Sequence, residues 1–322
     1  ANLPEPTIAD GSKYFDTKLW AGDGASTRTI SNYGFSPDFI WIKNRTTSGW
    51  QHVLYDQIRG AGTGSVTKSL SSDSTRAEAS GNDTNHGYLS GYTSDGFNLV
   101  KGSQGGGDYV NHNGWAYVGW AWDAGTSTVT NNDGSIASQV RAQPSDGFSI
   151  VSYSGNSTSG ATVGHSLNSK PELIIIKATN TAQGWATYHG SVGANKYLQL
   201  NATGAAASYS GFMNSTEPTT SVFSLGNDNF VNTGSNYIAY CFAPVSGYSA
   251  ALSWTGNGSS DGVFVHTGFR VAWMLWKKSN GTANWYIYDS ARNTYNVVND
   301  NLEPNTSDAE NTLTSMNVDF LS

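Results

Sequence analysis

The chain has 322 residues, a formal net charge of -7 and only 13% charged side chains. That acidic balance, with no Lys/Arg stripe anywhere, excludes a binder of nucleic-acid backbone, whose affinity rests on clustered cations. A single cysteine, Cys241, excludes an intrachain disulfide, and no apolar run approaches membrane-spanning length, so no membrane span is expected.

Residues 1–13 read as a polar N-terminal arm with Pro4 and Pro6, able to lie extended along a neighbour. Residues 14–125 form a first repeat. It carries WAGDG at 20–24, PDFIWIKNR at 37–45 and the closing run WAYVGWAW at 115–122. Residues 126–145, rich in Thr, Asn and Ser, read as a linker. Residues 146–246 form a second repeat, with YSGNS at 153–157, PELIIIKAT at 171–179 and YIAYCF at 237–242. Residues 247–322 begin a third, with WTGNG at 254–258 and AWMLWKKSN at 272–280. Two independent markers keep the same offsets to within one residue, and Lys43, Lys177 and Lys277 fall at equivalent places. The third repeat has no counterpart of the closing run. It is therefore expected to lack its last strand and to expose an edge, unless the chain continues or a partner supplies the strand.

The elements read as strands. Residues 39–43 and 173–177 are nearly continuous apolar runs, suited to strands buried on both faces. Runs at 148–153, 221–225 and 284–288 are shorter strands, separated by Gly-Asp-Gly, Asn-Gly-Ser and Ser-Asp-Gly turns. Short helices are expected only within 67–79 and 201–212. The fold class is all-β, with tandem antiparallel β-sandwich (jelly-roll-like) modules. Its 12% aromatic residues are ample for several small cores.

Each strand lysine is followed by a tryptophan, Trp50, Trp185 or Trp285, and then by a tyrosine, Tyr55, Tyr188 or Tyr288. Structurally, these rings pack an edge of the core while the lysine snorkels. Functionally, the six are candidate glycan contacts, with rings stacking on sugar and Asp or Asn binding hydroxyls. Asp56/Arg59 and Asp289/Arg292 share the spacing Asp-x-x-Arg and read as ion pairs bracing a turn; His189 and Val192 stand there in the second repeat. Asp23, Asn156 and Asn257 occupy equivalent turns that an Asx turn explains without a metal. Calcium is a weaker reading, since Asp16, Asp23, Asp73 and Asp83 form no recognisable loop. Asp83 reads as a single surface acid. No other cofactor is expected. The six histidines show no metal or nucleophile pattern, and the glycine run at 105–107 is no P-loop. Glu172, Glu303 and Glu310 recur at no strand end in two repeats, so no enzyme is expected.

The stretches LPEPTIADGSKYFDTKLWAGDG, FSPDFIWIKNR, KYLQLNATGAA, VFSLG, YIAYCFA, GFRVAWMLWKK and NTSDAENTL together resemble a modular structural protein of marine tailed bacteriophages, tail-fibre-like or capsid-associated. The resemblance runs through residues 3–322. It implies concanavalin-like jelly-roll modules, a virion location and a further strand of the YIYMAFAE kind beyond residue 322. It carries over no catalytic residues. The expected function is a non-enzymatic virion structural protein, as tail fibre, appendage or capsid decoration, with host-surface adhesion as an added role. The partners would be further copies in a homo-oligomer, other virion proteins and a host-surface glycan. A lectin-like carbohydrate-binding module and a glycan depolymerase are the alternatives.

Overall fold

Strands form here where alternate residues meet a core, and where both sheet faces are covered the whole run is apolar. The computed structural model describes residues 6–78, 83–105, 108–314 and 316–320. The first five residues of the arm, most of the glycine run and the last two residues lie outside that set. The first repeat holds β1 (Phe15–Ala21), β2 (Thr27–Ile30), β3 (Phe39–Asn44), β4 (Val53–Asp56), a one-turn helix α1 (Asp83–His86), β5 (Tyr88–Thr93), β6 (Gly96–Val100) and β7 (Ala116–Trp122). There follow β8 (Thr128–Asn131), β9 (Ser138–Gln143), β10 (Phe148–Ser154), β11 (Ala161–Gly164), β12 (Leu173–Ala178) and β13 (Trp185–His189). The second repeat ends with β14 (Lys196–Gln199), β15 (Ala207–Ser208), α2 (Ser210–Met213), β16 (Val222–Leu225) and β17 (Asn236–Phe242). The third holds β18 (Trp273–Lys277), β19 (Trp285–Asp289), β20 (Asp300–Asn301) and β21 (Asn311–Thr312).

The fold is all-β, with several antiparallel sheets. The principal sheet of repeat one has the order β1-β7-β3-β4, and β2-β6-β5 forms a second. Repeat two builds eight strands in the order β15-β14-β13-β12-β17-β10-β9-β8, with β11-β16 separate. Among the described residues repeat three has only the strand pairs β18-β19 and β20-β21. The expected linker is corrected here: β8 and β9 occupy half of residues 126–145 and extend the sheet of repeat two beyond β10. Val140 of β9 is fully buried, which explains why the stretch is built in rather than left as a tether. Within the described part of 67–79 there is no α-helix, and 201–212 contains only the start of α2.

Several small cores form, and one of them is shared between the repeats. Each repeat keeps one cluster of its own, such as Ile40, Ile42, Tyr55 and Phe97 in repeat one, or Ile174, Ile176, Tyr188 and Phe223 in repeat two. The opposite faces of the principal sheets meet in one shared cluster. Trp41, Trp120 and Leu54 come from repeat one, Ile175, Trp185 and Tyr240 from repeat two, and Trp285 and Ile287 from repeat three. The pleat of β3 and β12 sends alternate residues to these two cores, hence their unbroken apolar sequence.

The turn reading of the recurring Asp and Asn holds in all three repeats. Asp23 Oδ1 accepts from the Ala25 N–H at 2.9 Å, Asn156 Oδ1 from Thr158 at 2.9 Å and Asn257 Oδ1 from Ser259 at 3.0 Å. The next residue in each, Gly24, Ser157 or Gly258, has positive φ.

Candidate functional site at the repeat interfaces

The six aromatic candidates do not form a shared surface platform. Tyr55, Tyr188 and Tyr288 lie opposite Ile40, Ile174 and Met274 across their hairpins, and all three are at most 1% exposed. Tyr288 donates its hydroxyl to Met316 O at 2.7 Å, and Tyr188 donates to the Glu217 carboxylate. Trp185 and Trp285 are buried in the shared cluster. Only Trp50 is half-buried, edge-on to His86 at 5.1 Å and tilted against Trp115 at 5.5 Å. The expected glycan contacts at the other five positions are thereby corrected: these rings are core, because their strand positions face inward.

Strand register also changes the equivalence. Lys177 pairs with Trp185 and Lys277 with Trp285, but the hairpin of repeat one is longer, and Ile42 pairs with Val53. One step along, His52 stands opposite Lys43 where the other repeats have tryptophan. Trp50 is displaced out of the shared cluster. The indole N–H of Trp41 donates to His52 Nδ1 at 2.9 Å, so Nε2 carries the proton and donates to Glu303 O at 3.1 Å. Burial, then the neighbouring Lys43 charge, holds this imidazole well below its ordinary pKa, hence neutral.

These three positions each reach into a neighbouring repeat. Trp185 Nε1–H of repeat two donates to Ser71 O of repeat one at 2.8 Å. Trp285 Nε1–H of repeat three donates to Gln199 O of repeat two at 2.9 Å. His52 of repeat one reaches Glu303 of repeat three. The order two to one, three to two, one to three closes a ring. The lysines follow it in part: Lys177 Nζ donates to Thr75 O at 3.3 Å, and Lys43 Nζ lies 3.5 Å from Ser307 O. Both are buried rather than snorkelling. Desolvation lowers Lys43 to about 8, against the pull of Asp73 and Asp308, and lowers Lys177 to about 7, helped by Arg76 and Arg59.

The Asp-x-x-Arg pairs do brace turns, with Nε to Oδ2 distances of 2.6 Å for Arg59–Asp56 and 2.5 Å for Arg292–Asp289. They also receive a closing strand. Tyr240 of β17 donates its hydroxyl to Asp56 at 2.9 Å, and Trp120 of β7 donates its indole N–H to Asp289 at 3.0 Å. Sequence spacing showed the local pair but not this second partner, which lies on a strand far along the chain.

Elsewhere the chemistry is quiet or internally engaged. Asp83 is buried, not a surface acid: it accepts from the Lys68 and Ser69 amides at 3.0 and 3.2 Å. Burial pushes the Cys241 thiol up to about 12, so it is no nucleophile at neutral pH. A polar recess of about 390 Å³ is lined by Ser48, Asn301, Glu303, Asp308 and Glu310. Glu310 there binds both Arg45 and Arg292, and Glu303 accepts from Asn284. Among the described residues no group of three His, Cys, Asp or Glu is placed to hold a metal, and no helix is long and apolar enough to cross a membrane.

The third repeat exposes what the others cover. β3 lies between β7 and β4, and β12 between β17 and β13, whereas β18 pairs only with β19 among the described residues. Its residues are all half-buried. Trp254, whose ring lies 6.0 Å from that of Trp276 in β18, is exposed, as are Leu252, Val263 and Phe264 in the segment before β18, Phe264 by 76%.

The chain belongs to the family described as a domain of unknown function, DUF7483, which it matches over residues 10–322. No curated protein and no solved structure matches it.

Proposed function

We propose that this member of the family is a non-enzymatic structural protein of a virion, in a tail appendage or capsid decoration. Each repeat would be a jelly-roll-like β-sandwich, and the surface rich in Ser, Thr, Asn and Gly would face solvent or host. One observation carries the reading: the residues that recur between repeats are used to lock the repeats to one another. A scaffold needs that use of its recurring residues, whereas multivalent ligand binding would present them outward. The primary sequence resemblance points the same way. Proteomics of density-purified phage particles encoding this chain tests it. Peptides from all three repeats, at a fixed ratio to capsid protein, are expected. Their absence from particles, with the protein present in the lysate, would sink the proposal.

A glycan-binding role keeps one specific support, confined to repeat one. His112 stacks on Trp115 at 4.0 Å, Trp115 packs on Trp50, and Asn111 Nδ2 is bonded to Asp23 Oδ1 at 2.8 Å. A half-exposed aromatic strip beside an Asp–Asn pair is the chemistry of a sugar site. Glycan-array binding that Trp115→Ala abolishes would establish this role, and an array with no signal would remove it.

A further inference from the structure

After β7 the chain runs tightly against the β9–β10 hairpin: a Cβ on Gly125 would stand 2.5 Å from Ala142 O of β9. Three acids gather at this seam between the first two repeats. Asp38 stands just before β3, Asp123 just after β7, and Asp146 in the β9–β10 turn. Asp38 is fully buried; its Oδ1 accepts from Arg141 Nε of β9 at 2.7 Å and its Oδ2 from the Ala124 N–H at 2.7 Å. Its carboxyl also shares a hydrogen bond with that of Asp123. Two carboxyls can do so only while one of them holds a proton, because an ionised carboxylate can only accept. Asp146 is 3% exposed, and its Oδ1 accepts from the Phe148 N–H at 3.0 Å. Its Oδ2 is buried with no hydrogen-bond partner among the described residues.

Charge does not balance at this seam. Among the described residues Arg141 is the only cation paired with any of the three acids. Tyr92 of β5 faces Asp38 and Arg141, and Tyr248 faces Asp146, Asp123 and Tyr14; burial above all raises both phenols, so they stay neutral. Ionising all three acids would set a buried, unpaired Oδ2 beside two further negative charges, which a dry seam tolerates far less than the neutral acid. Desolvation accordingly lifts Asp38 to about 7, against the pull of the Ala124 amide and Arg141, and lifts Asp146 to about 8, with the Asp123 and Asp38 charges adding. The N-terminal arm and the turn after β17 lie over the same seam. The Asp123 N–H donates to Tyr14 O at 2.8 Å, the Thr7 N–H to Ser246 O at 3.3 Å, and Tyr14 packs edge-on to Tyr248 at 6.3 Å.

We propose that this seam is a proton-operated latch between repeats one and two. With Asp38 and Asp146 protonated, the acids close against Arg141 and hold the arm on the turn at 245–249. Ionisation sets three negative charges against one guanidinium, and the seam opens. An acid raised in the folded chain binds protons on folding. Its contribution is therefore complete below the unfolded value of 3.8 and is lost as pH climbs through about 7 for Asp38 and about 8 for Asp146. The inference rests on the seam alone and does not depend on a virion location.

Hydrogen exchange of the intact chain at pH 6 and pH 9, corrected for intrinsic rates, tests the latch. Protection in 121–126, 141–148 and 245–249 should fall roughly a hundredfold between the two, while β16, in the separate β11–β16 sheet, should not follow. Asp146→Asn keeps the shape and removes the titration, and should leave a fall of roughly tenfold, the part due to Asp38. Carboxyl-carbon NMR of 13C-labelled aspartates reads the same groups in the parent without any substitution. Its highest-titrating aspartate should have a midpoint near pH 8, and that signal should vanish in Asp146→Asn. A parent fall below roughly threefold, an equal fall in β16, or an equal fall in parent and Asp146→Asn overturns the latch. So does a parent in which no aspartate titrates above pH 6.

Discussion

Repeats two and three carry the same hairpin in the same register, yet they bury it to different depths. In β12–β13, Ile174 and Ile176 are fully buried and Lys177 is sealed; in β18–β19, Met274, Trp276 and Lys277 remain half-exposed. The inner face of β19 is as well buried as that of β13, with Trp285 at 4% and Trp185 at 0%. The difference lies on the other side of the hairpin, where β17 covers β12 and nothing described covers β18. A hairpin alone therefore does not complete a repeat. The closing strand does, by covering the central strand, stacking on the marker aromatic and reaching the next repeat.

The sharpest way to break that comparison is to truncate equivalent large rings. Trp185→Ala removes a fully buried ring and its bond to Ser71, and should cost about 3–5 kcal/mol of unfolding free energy. Trp254→Ala, at the uncovered marker, should stay within about 0.5 kcal/mol. Urea unfolding of both variants measures the two numbers. Similar losses would mean that repeat three is as closed as repeat two.

A second contrast concerns the residue that meets the closing strand. Asp56→Ala leaves Arg59 buried, with Glu78 at 3.6 Å as its remaining anion, and orphans the Tyr240 hydroxyl. The expected loss is about 3 kcal/mol. His189→Ala, at the same strand position but without a closing strand, should cost about 1 kcal/mol or less. Thermal melts of the two variants decide it, and a His189 loss matching that of Asp56 would show the third interface to be occupied already.

Much of this was legible in the sequence because it depends on local pattern. The doubly apolar runs 39–43 and 173–177 announce strands covered on both sides, and the Asx turns follow from Asp or Asn beside a residue that tolerates positive φ. Within residues 247–322 the sequence likewise shows no counterpart of the runs 115–122 and 237–242. What stayed hidden depends on long-range packing. Nothing local distinguishes a tryptophan that faces sugar from one that faces the next repeat, since both uses favour the same residue. The longer hairpin that replaces Trp50 with His52 is a register effect, visible only once Ile42 is seen to pair with Val53. Residues 126–145 misread as a linker because Thr and Ser are common in turns and also in an outer strand with one face to solvent.

The smallest contrast lies in the strand lysines. Burial depresses Lys177 from 10.5 to about 7, so between those pH values the unfolded chain holds a proton that the folded chain has released. Stability from this group therefore rises with pH across that window. The buried acids act oppositely at lower pH. Desolvation raises Asp38 and Asp73 to about 7 and Asp146 to about 8, so their contribution falls as pH climbs from about 4 to those values. Lys277 is lowered by partial burial and then by Lys278, without being sealed by a covering strand. Lys177→Met should flatten the rise in melting temperature between pH 7 and 10 relative to the parent, whereas Lys277→Met should change that slope much less.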